Sequence, residues 1–152
     1  MQIPKSLDLI QSALKEYAHL RASKIHGFGM FATKAIPKGT WIGEYTGDRL
    51  TLKQALKVPP ADVLLLFAVG RNTYINGATN TDTRYINHSC APNLQAVQVE
   101  RRVFFQALSD IKAGKELTFD YQLANTEDKT DDYTCMCGAS TCRGTMSAPT
   151  KG

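Results

Sequence analysis

The sequence predicts a single β-rich domain, made mainly of strands with few short helices. Short runs of β-branched and aromatic residues recur along the chain, and turns that contain glycine or proline separate them. The length of 152 residues is enough for one domain with its own core. No internal repeat, low-complexity stretch or linker divides the sequence, so one folding unit is expected.

The first predicted element is an N-terminal helix. Its apolar face is formed by residues at spacings of three and four, namely Leu7, Ile10, Leu14 and Tyr17. Ser6 is a suitable N-cap, and the helix is expected to end before His19. Nothing on this helix suggests chemistry, so we interpret it as a lid or docking helix.

The strands follow in chain order. Alternating and β-branched runs predict them over residues 41–45, 72–76, 94–100, 103–108 and 116–121. Pro59 and Pro60 limit any helix over residues 51–60 to a short one, because proline cannot continue a helix. The apolar run over residues 63–69 suits either a buried strand or a short core helix.

Composition and charge exclude several classes of function. The net charge is only +4, and the basic residues are scattered, so direct nucleic-acid binding is not expected. No apolar run approaches the roughly 18 residues of a membrane span. The N-terminus has no apolar signal-peptide core, so the expectation is an intracellular protein or one exported by a route that the sequence does not show.

The chain has four cysteines, three of them close together. Cys135, Cys137 and Cys142 form a Cys-X-Cys-X4-Cys cluster, and Cys90 lies 45 residues before it. The count allows two disulfides, but no secretory signal supports an oxidising compartment. A metal suits the cluster better, because zinc accepts four thiolates in a closed tetrahedral site. Spacing alone does not identify a remote fourth ligand.

Two other stretches are candidate sites. Asn87-His88-Ser89-Cys90 places four polar groups side by side before Pro92, which predicts a fixed loop. The alternative is a polar turn whose side chains bond their own backbone. Gly27-Phe28-Gly29 would let the backbone approach a ligand, and the alternative there is a β-bulge.

Five stretches in a fixed order make the sequence recognisable. They are Gly27-Phe28-Gly29, Tyr45-Thr46-Gly47, residues 84–93, residues 116–121 and the cysteine cluster. In this order they resemble a SET-domain protein lysine methyltransferase with a post-SET zinc motif, over about residues 18–146. The most specific part is Asn-His-Ser-Cys followed by Phe-Asp-Tyr and three cysteines.

The resemblance implies a fold and two cofactors. The fold is one of small curved sheets, in which the C-terminal segment threads beneath a loop as a pseudoknot. The implied parts are an N-terminal helical extension over 1–18, a SET domain over 19–125, a post-SET zinc-binding segment over 126–146 and a tail over 147–152. S-adenosylmethionine is the implied methyl donor, and its implied binding residues are Lys24, Ile25, His26, Gly27, Phe28, Gly29, Arg84, Tyr85, Asn87, His88 and Met136. The implied ligands of one structural zinc ion are Cys90, Cys135, Cys137 and Cys142.

The resemblance also assigns catalytic roles. Tyr121 matches the catalytic tyrosine, whose hydroxyl orients the lysine amine, and Tyr45 is expected to assist. The alternative for Tyr121 is a core tyrosine at a strand end, and the alternative for His88 is a hydrogen-bonded loop histidine. Phe119 matches a size switch at which phenylalanine favours di- or trimethylation, because the missing hydroxyl leaves room for methyl groups.

The implied function is methylation of a lysine in a protein or peptide. A histone tail, possibly of histone H3, is the commonest target in the family. The alternative is a catalytically inactive, zinc-stabilised SET-like module that binds proteins. No membrane or direct nucleic-acid partner is expected, and the oligomeric state stays open. The expected compartment is the cytoplasm for a bacterial or archaeal source and the nucleus or chromatin for a eukaryotic one, with a viral, host-directed protein as a further option.

The sequence departs from the family pattern in three places. Asn76-Gly77 stands where Asp-Ala is usual, and Tyr85 stands where phenylalanine is commoner. The insert between Gly47 and Tyr74, which helps form the peptide groove in the family, is small. These departures leave the reaction in place and put the substrate in question.

Overall fold

The computed structural model describes residues 13–123 and 134–146. Within these residues the chain forms four small sheets, two one-turn helices and three 3-10 turns. The strands are β1 (Ala18–Ala22), β2 (Phe28–Ala32), β3 (Trp41–Tyr45), β4 (Asp48–Leu50), β5 (Leu66–Gly70), β6 (Thr73–Asn76), β7 (Asn87–His88), β8 (Leu94–Val99), β9 (Arg102–Ala107) and β10 (Thr118–Phe119). The helices are α1 (Leu14–Tyr17) and α2 (Leu52–Ala55), and the 3-10 turns are Pro60–Leu65, Gly77–Thr79 and Thr83–Tyr85. The predicted β-rich class is confirmed.

The central sheet has the order β3-β9-β8. Strands β8 and β9 form an antiparallel hairpin that pairs Leu94 with Ala107 and Val99 with Arg102. The middle strand β9 buries Phe104 as well as its neighbours in sequence, so both faces of this strand are covered. The core around it includes Ile36, Ile42, Ile75, Ile86, Leu94, Val103, Phe105, Ile111 and Leu117.

Two smaller antiparallel sheets flank this core. One has the order β4-β6-β5, and the other is the ribbon of β1 and β2. Phe31 of the ribbon forms a bridge with Glu116, so the ribbon lies against the chain that leads into β10. This contact brings the Gly27 turn to the segment that carries Tyr121.

The parallel pair of β7 and β10 brings the two most specific motifs together. Thr118 lies opposite Asn87, and Phe119 lies opposite His88. The Asn93 side chain reinforces this approach, since its Nδ2 donates to the Glu116 carbonyl at 2.8 Å and its Oδ1 accepts from Thr118 N–H at 2.9 Å. This pairing is the contact that the predicted threading requires.

Several elements differ from those predicted. Strand β10 covers only Thr118–Phe119 rather than residues 116–121, because Leu117 N–H bonds to the Met30 carbonyl of β2 and Tyr121 N–H bonds to the His88 side chain. The apolar run over residues 63–69 divides between the 3-10 turn that follows Pro59 and strand β5. Strands β1, β2 and β4 were not predicted, since they are short and their buried and exposed residues do not alternate. The two-residue strand β7 lies in the segment predicted as a fixed loop, because the parallel pairing with β10 depends on distant residues.

Parts of the prediction fall outside the described residues. Most of the predicted N-terminal helix falls on residues 1–12, outside the described residues, and the described helix α1 (Leu14–Tyr17) covers its predicted end. The helix ends at Tyr17, as expected, and β1 begins at once. The predicted boundary between residues 125 and 126 lies in 124–133, and the predicted tail lies in 147–152. Within the described part, no helix is long and apolar enough to span a membrane.

Candidate functional site

A cavity of about 350 Å³ opens where the Gly27 turn, residues 84–88 and the cysteine-rich tail meet. Its lining includes every predicted cofactor-binding residue except Lys24 and Gly29, namely Ile25, His26, Gly27, Phe28, Arg84, Tyr85, Asn87, His88 and Met136. The tail also contributes Thr134, Cys135 and Met146, and the turn after Pro60 contributes Ala61, Leu64 and Leu65. Tyr121 lines it as well, so the structure gathers residues from five separate segments around one space.

Some lining residues carried no recognisable signal in the sequence. Leu64 and Leu65 belong to the apolar run that suggested only a strand or core helix, and the short insert that contains them folds over the cavity. Thr134 precedes the cysteine cluster and Met146 follows it. An antiparallel bridge between Thr134 and Thr145 brings the two ends of the cluster together. Nothing in their type or spacing indicates a binding role.

The side-chain amide of Asn87 holds the Gly27 turn in place through hydrogen bonds to its backbone. Its Nδ2 lies 3.1 Å from the His26 carbonyl, 3.0 Å from the Phe28 carbonyl and 2.9 Å from Glu116 Oε1. Ser23 Oγ donates to the same Glu116 oxygen at 2.7 Å. The side chain of Asn87, expected to contact the cofactor, thus uses its donors to shape the turn that walls the cavity.

Gly29 is required by packing. A Cβ at this position would lie 2.0 Å from Glu116 Oε1 and 3.2 Å from Asn87 Nδ2. Gly27 differs, since its φ of +47° favours glycine while a Cβ there would meet nothing within 4 Å. One glycine therefore makes the turn, and the other admits the carboxylate that fixes it.

The ring of His88 links the tyrosine segment to the cysteines. Its Nδ1 accepts from Tyr121 N–H at 3.0 Å, and its Nε2 lies 3.3 Å from Cys90 Sγ. Burial lowers the pKa of His88, opposed by the charge of Asp120. The ring is therefore neutral, with its proton on Nε2 toward the sulfur.

A second, smaller cavity of about 20 Å³ borders the first. It shares Tyr121, Leu64, Leu65 and Arg84 with the larger cavity, and its remaining lining is Tyr45, Leu66, Phe67, Ile86, Phe119 and Leu123. Because the lining is mostly apolar, a charged amine is disfavoured in it. The two cavities meet at the predicted catalytic tyrosine.

The hydroxyls of Tyr121 and Tyr45 are both held by backbone carbonyls. Tyr121 Oη donates to the Ile86 carbonyl at 2.7 Å, and Tyr45 Oη donates to the Leu65 carbonyl at 2.6 Å. Burial raises the pKa of both phenols, so both stay protonated at neutral pH. With each proton directed to a carbonyl, the oxygen lone pairs of these side chains are left to accept from a donor in the small cavity.

The four cysteines converge although 45 residues separate Cys90 from the others. All four Sγ atoms lie within 4.8 Å of one another, and all four are free thiols. Cys90 Sγ and Cys135 Sγ are 3.8 Å apart, which matches the sulfur separation of about 3.8 Å in a tetrahedral site with Zn–S bonds of about 2.3 Å. The geometry suits a closed tetrathiolate site rather than disulfides.

The environment of the thiols supports ionised sulfur at one ligand. Burial opposes ionisation of Cys137, but backbone N–H donors from Cys90 and Ala139 outweigh it and lower its pKa to about 6. Burial instead raises the pKa of Cys135 to about 12, so this thiol needs a cation to become a thiolate. Four neighbouring thiolates repel one another, and a bound metal cation would neutralise that repulsion.

Gly77 gives a test of the small cavity's wall. A Cβ at Gly77 would lie 1.9 Å from Tyr45 Oη and 2.9 Å from the Leu65 carbonyl, the two partners of one hydrogen bond. Gly77→Ala is therefore expected to displace Tyr45 and to lower the free energy of unfolding by about 1–3 kcal/mol. Chemical denaturation measures this change. Gly43→Ala is the matched control, since a Cβ there meets Leu14 at an ordinary 3.5 Å, and an equal loss in both variants would contradict the prediction.

Comparison with known proteins shows which family the chain belongs to. A family model described as the SET domain matches residues 27–122, which is more than half of the chain. The histone-lysine N-methyltransferase, H3 lysine-4 specific, of Schizosaccharomyces pombe is 34% identical over 94% of this chain and 17% of its own length. The protein of the same description from Saccharomyces cerevisiae is 35% identical over 80% of this chain and 12% of its own length. Histone-lysine N-methyltransferase set-2 of Caenorhabditis elegans is 32% identical over 86% and 9%, respectively.

A solved structure shares the fold. It is a humanized mutant of the Chaetomium thermophilum Polycomb Repressive Complex 2 bound to the inhibitor GSK343, with a TM-score of 0.62 and 30% identity. The match covers 68% of this chain and 15% of that one.

The chain spans less than a fifth of the length of the three histone-lysine N-methyltransferases named above. With the family model covering the Gly27 turn, the Asn87–Cys90 loop and Tyr121, the chain belongs to the SET domain family.

Proposed function

We propose that this protein transfers methyl groups from S-adenosylmethionine to a lysine side chain of a protein substrate. One observation carries the proposal: a large cavity and a small apolar one meet at Tyr121, whose hydroxyl is fixed by the Ile86 carbonyl. The large cavity would hold the methyl donor, which SET methyltransferases use. The small cavity would admit the lysine side chain from the opposite side.

The large cavity fits a cofactor of this size. Its volume of about 350 Å³ falls within the range of about 300–1,000 Å³ that small-molecule sites occupy. The backbone of the Gly27 turn, held by Asn87, supplies carbonyl and N–H groups at its wall. Phe28 and Met136 are exposed apolar side chains at its edge, and each would gain cover from a bound adenosine.

The chain's own residues would prepare the amine. Free lysine has a pKa near 10.4, so roughly one molecule in several thousand is neutral at pH 7. Burial among Leu64, Phe67 and Phe119 favours the neutral form that can attack. The oxygens of Tyr121 and Tyr45 would accept the amine's N–H bonds and direct its lone pair toward the large cavity. Positioning of this kind supplies most of the rate in a simple displacement.

One structural zinc ion is proposed for the four thiols. Cys90, Cys135, Cys137 and Cys142 would close a tetrahedral site, and this would hold the tail against the loop that lines the large cavity. The ion would take no part in the reaction, because four thiolates leave no open position.

The substrate proposal is histone H3. The relatives reported above carry names that specify histone lysine, and two specify H3 lysine-4. They come from fungi and a nematode, so they favour the nuclear or chromatin location over the bacterial one. A multi-protein assembly is also compatible, because the structural relative is part of Polycomb Repressive Complex 2.

The test is label transfer from radiolabelled S-adenosylmethionine. Purified protein is offered core histones in one reaction and a total lysate in another. Label on histone H3 is the expected result. Label confined to lysate proteins would retain lysine methylation and overturn the histone substrate. Bound cofactor with no label in either reaction would overturn the enzyme and favour the protein-binding module.

Phe119 sets the expected degree of methylation. Its ring is buried, with its centroid 4.7 Å from the Tyr121 ring and 4.9 Å from the Phe105 ring, beside the small cavity. We expect di- and trimethylated product from the natural protein, and a shift to monomethyl product in Phe119→Tyr, because the added hydroxyl occupies the space a methylated amine needs. Mass spectrometry of the product measures the distribution. Monomethyl product alone from the natural protein would contradict this expectation, and Phe31→Tyr is a control away from both cavities.

A further inference from the structure

Asp120 and Arg143 form a bidentate ion pair between the tyrosine segment and the cysteine-rich tail. Arg143 Nη1 donates to Asp120 Oδ2 at 2.9 Å, and Nη2 donates to Oδ1 at 3.0 Å. The side chains are only 25% and 18% exposed. Two parallel charge-assisted bonds fix both the distance and the angle between the groups, which a single contact would not do.

Each partner is adjacent to a residue of the proposed site. Asp120 precedes Tyr121, whose N–H donates to His88 Nδ1 at 3.0 Å. Arg143 follows the proposed ligand Cys142, and its own N–H donates to Cys90 Sγ at 3.4 Å. Since His88 Nε2 also lies 3.3 Å from Cys90 Sγ, these contacts close a ring that joins the tyrosine to the sulfur cluster.

The same tail forms one wall of the large cavity. Met146 lines that cavity, and its carbonyl accepts from Leu123 N–H at 3.1 Å. The tail therefore contacts the segment from Asp120 to Leu123 at two points, one made by side chains and one by backbone. Zinc would tie the tail only to Cys90, in the loop on the far side of His88, so it would not by itself fix the tail to Tyr121.

We propose that Asp120 and Arg143 are positioning residues: their ion pair sets the cavity wall formed by the tail and the placement of Tyr121 through one shared contact. The catalytic consequence rests on the proposed function, whereas the docking of the tail does not. Neither side chain is assigned contact with cofactor or substrate. A lysine at position 143 would keep the charge but lose the planar two-point fork.

The experiment is a double-mutant cycle on the zinc-loaded protein, with Asp120→Asn, Arg143→Gln and both together. Calorimetric titration with S-adenosylmethionine measures the Kd, and steady-state assays measure kcat. We expect each single variant to raise the Kd about tenfold and to lower kcat, while the double variant is no worse than either. Arg143→Lys should recover only part of the loss. Zinc content should stay that of the natural protein, because all four thiols remain.

The central sheet offers a matched control. Arg102 and Glu44 form another bidentate pair, with Nε to Oε2 at 3.0 Å and Nη2 to Oε1 at 2.8 Å, and neither residue lines either cavity. Glu44→Gln should lower the free energy of unfolding without changing the Kd of the cofactor. If Glu44→Gln raises the Kd as much as Asp120→Asn does, general destabilisation explains the effect and the positioning role is overturned.

Hydrogen exchange separates this inference from the proposed function. Amide exchange at Tyr121 and over residues 134–146 should speed up in Asp120→Asn and Arg143→Gln, whether or not the protein methylates anything. Faster exchange in these variants, with no methyl transfer by the natural protein, would support the docking role and overturn the enzyme. Methyl transfer by the natural protein, with unchanged exchange, Kd and kcat in both variants, would overturn the positioning role alone.

Discussion

Replacement of Tyr121 with phenylalanine is expected to lower kcat for methyl transfer by about 100-fold or more, with little change in the Kd of the cofactor. Tyr121 lines both cavities, and the proton of its hydroxyl is committed to the Ile86 carbonyl at 2.7 Å. Without this hydroxyl, only the Tyr45 oxygen would be left to direct the amine, and misplacement by about 1 Å can cost about 100-fold in rate. Steady-state kinetics on a lysine peptide, together with calorimetry of the cofactor, measure the two quantities.

The matched control is Tyr74→Phe, which removes a hydroxyl from a half-buried tyrosine on β6 that lines neither cavity. This variant should keep the kcat of the natural protein. Because the Tyr121 ring stays in place in Tyr121→Phe, its packing on Phe119 and His88 is preserved, and the free energy of unfolding should change only modestly. A Tyr121→Phe protein with undiminished kcat would show that the hydroxyl is a core group and not a catalytic one.

Removal of the metal is expected to have the second largest effect, on cofactor binding. Cys135→Ser, or treatment with a zinc chelator, should abolish stoichiometric zinc binding and raise the Kd of the cofactor by about 100-fold, since metal binding and ordering of the tail are coupled. Cys135 is buried, and it lines the large cavity together with Met136 and Met146 from the same tail. Metal analysis measures the zinc content, calorimetry measures the Kd of the cofactor, and thermal unfolding measures the accompanying loss of stability.

Ser140→Ala is the control for this change, because Ser140 lies on the exposed turn between Cys137 and Cys142. It should retain zinc, cofactor affinity and thermal stability. Cofactor affinity that survives complete loss of zinc would mean that the tail docks without the ion. Natural protein that contains no zinc after purification and reconstitution would contradict the tetrathiolate site itself.

The sequence was sufficient for the family and for about half of the strands. The alternating run at residues 94–99 predicts β8, because burial on one face imposes a two-residue period, and the aromatic and β-branched residues of 41–45 predict β3. The order of the motifs, from Gly27 to the cysteine cluster, predicts the SET domain that the family model matches over residues 27–122. Local patterns failed for β1, which is exposed over four of its five residues and so shows no alternation, and for β4, a three-residue strand whose partner β6 lies further along the chain.

The sequence by itself determined the chemical groups of this protein: a polar loop at 87–90, a tyrosine after Phe119 and four thiols. Only the tertiary structure decided which groups these side chains contact. It directed the Asn87 amide into the Gly27 turn, brought Cys90 within 3.8 Å of Cys135, and joined Asp120 to Arg143. The physical reason is that each of these contacts links residues more than 20 positions apart, and only the packing of the sheets around one core brings such groups within bonding distance.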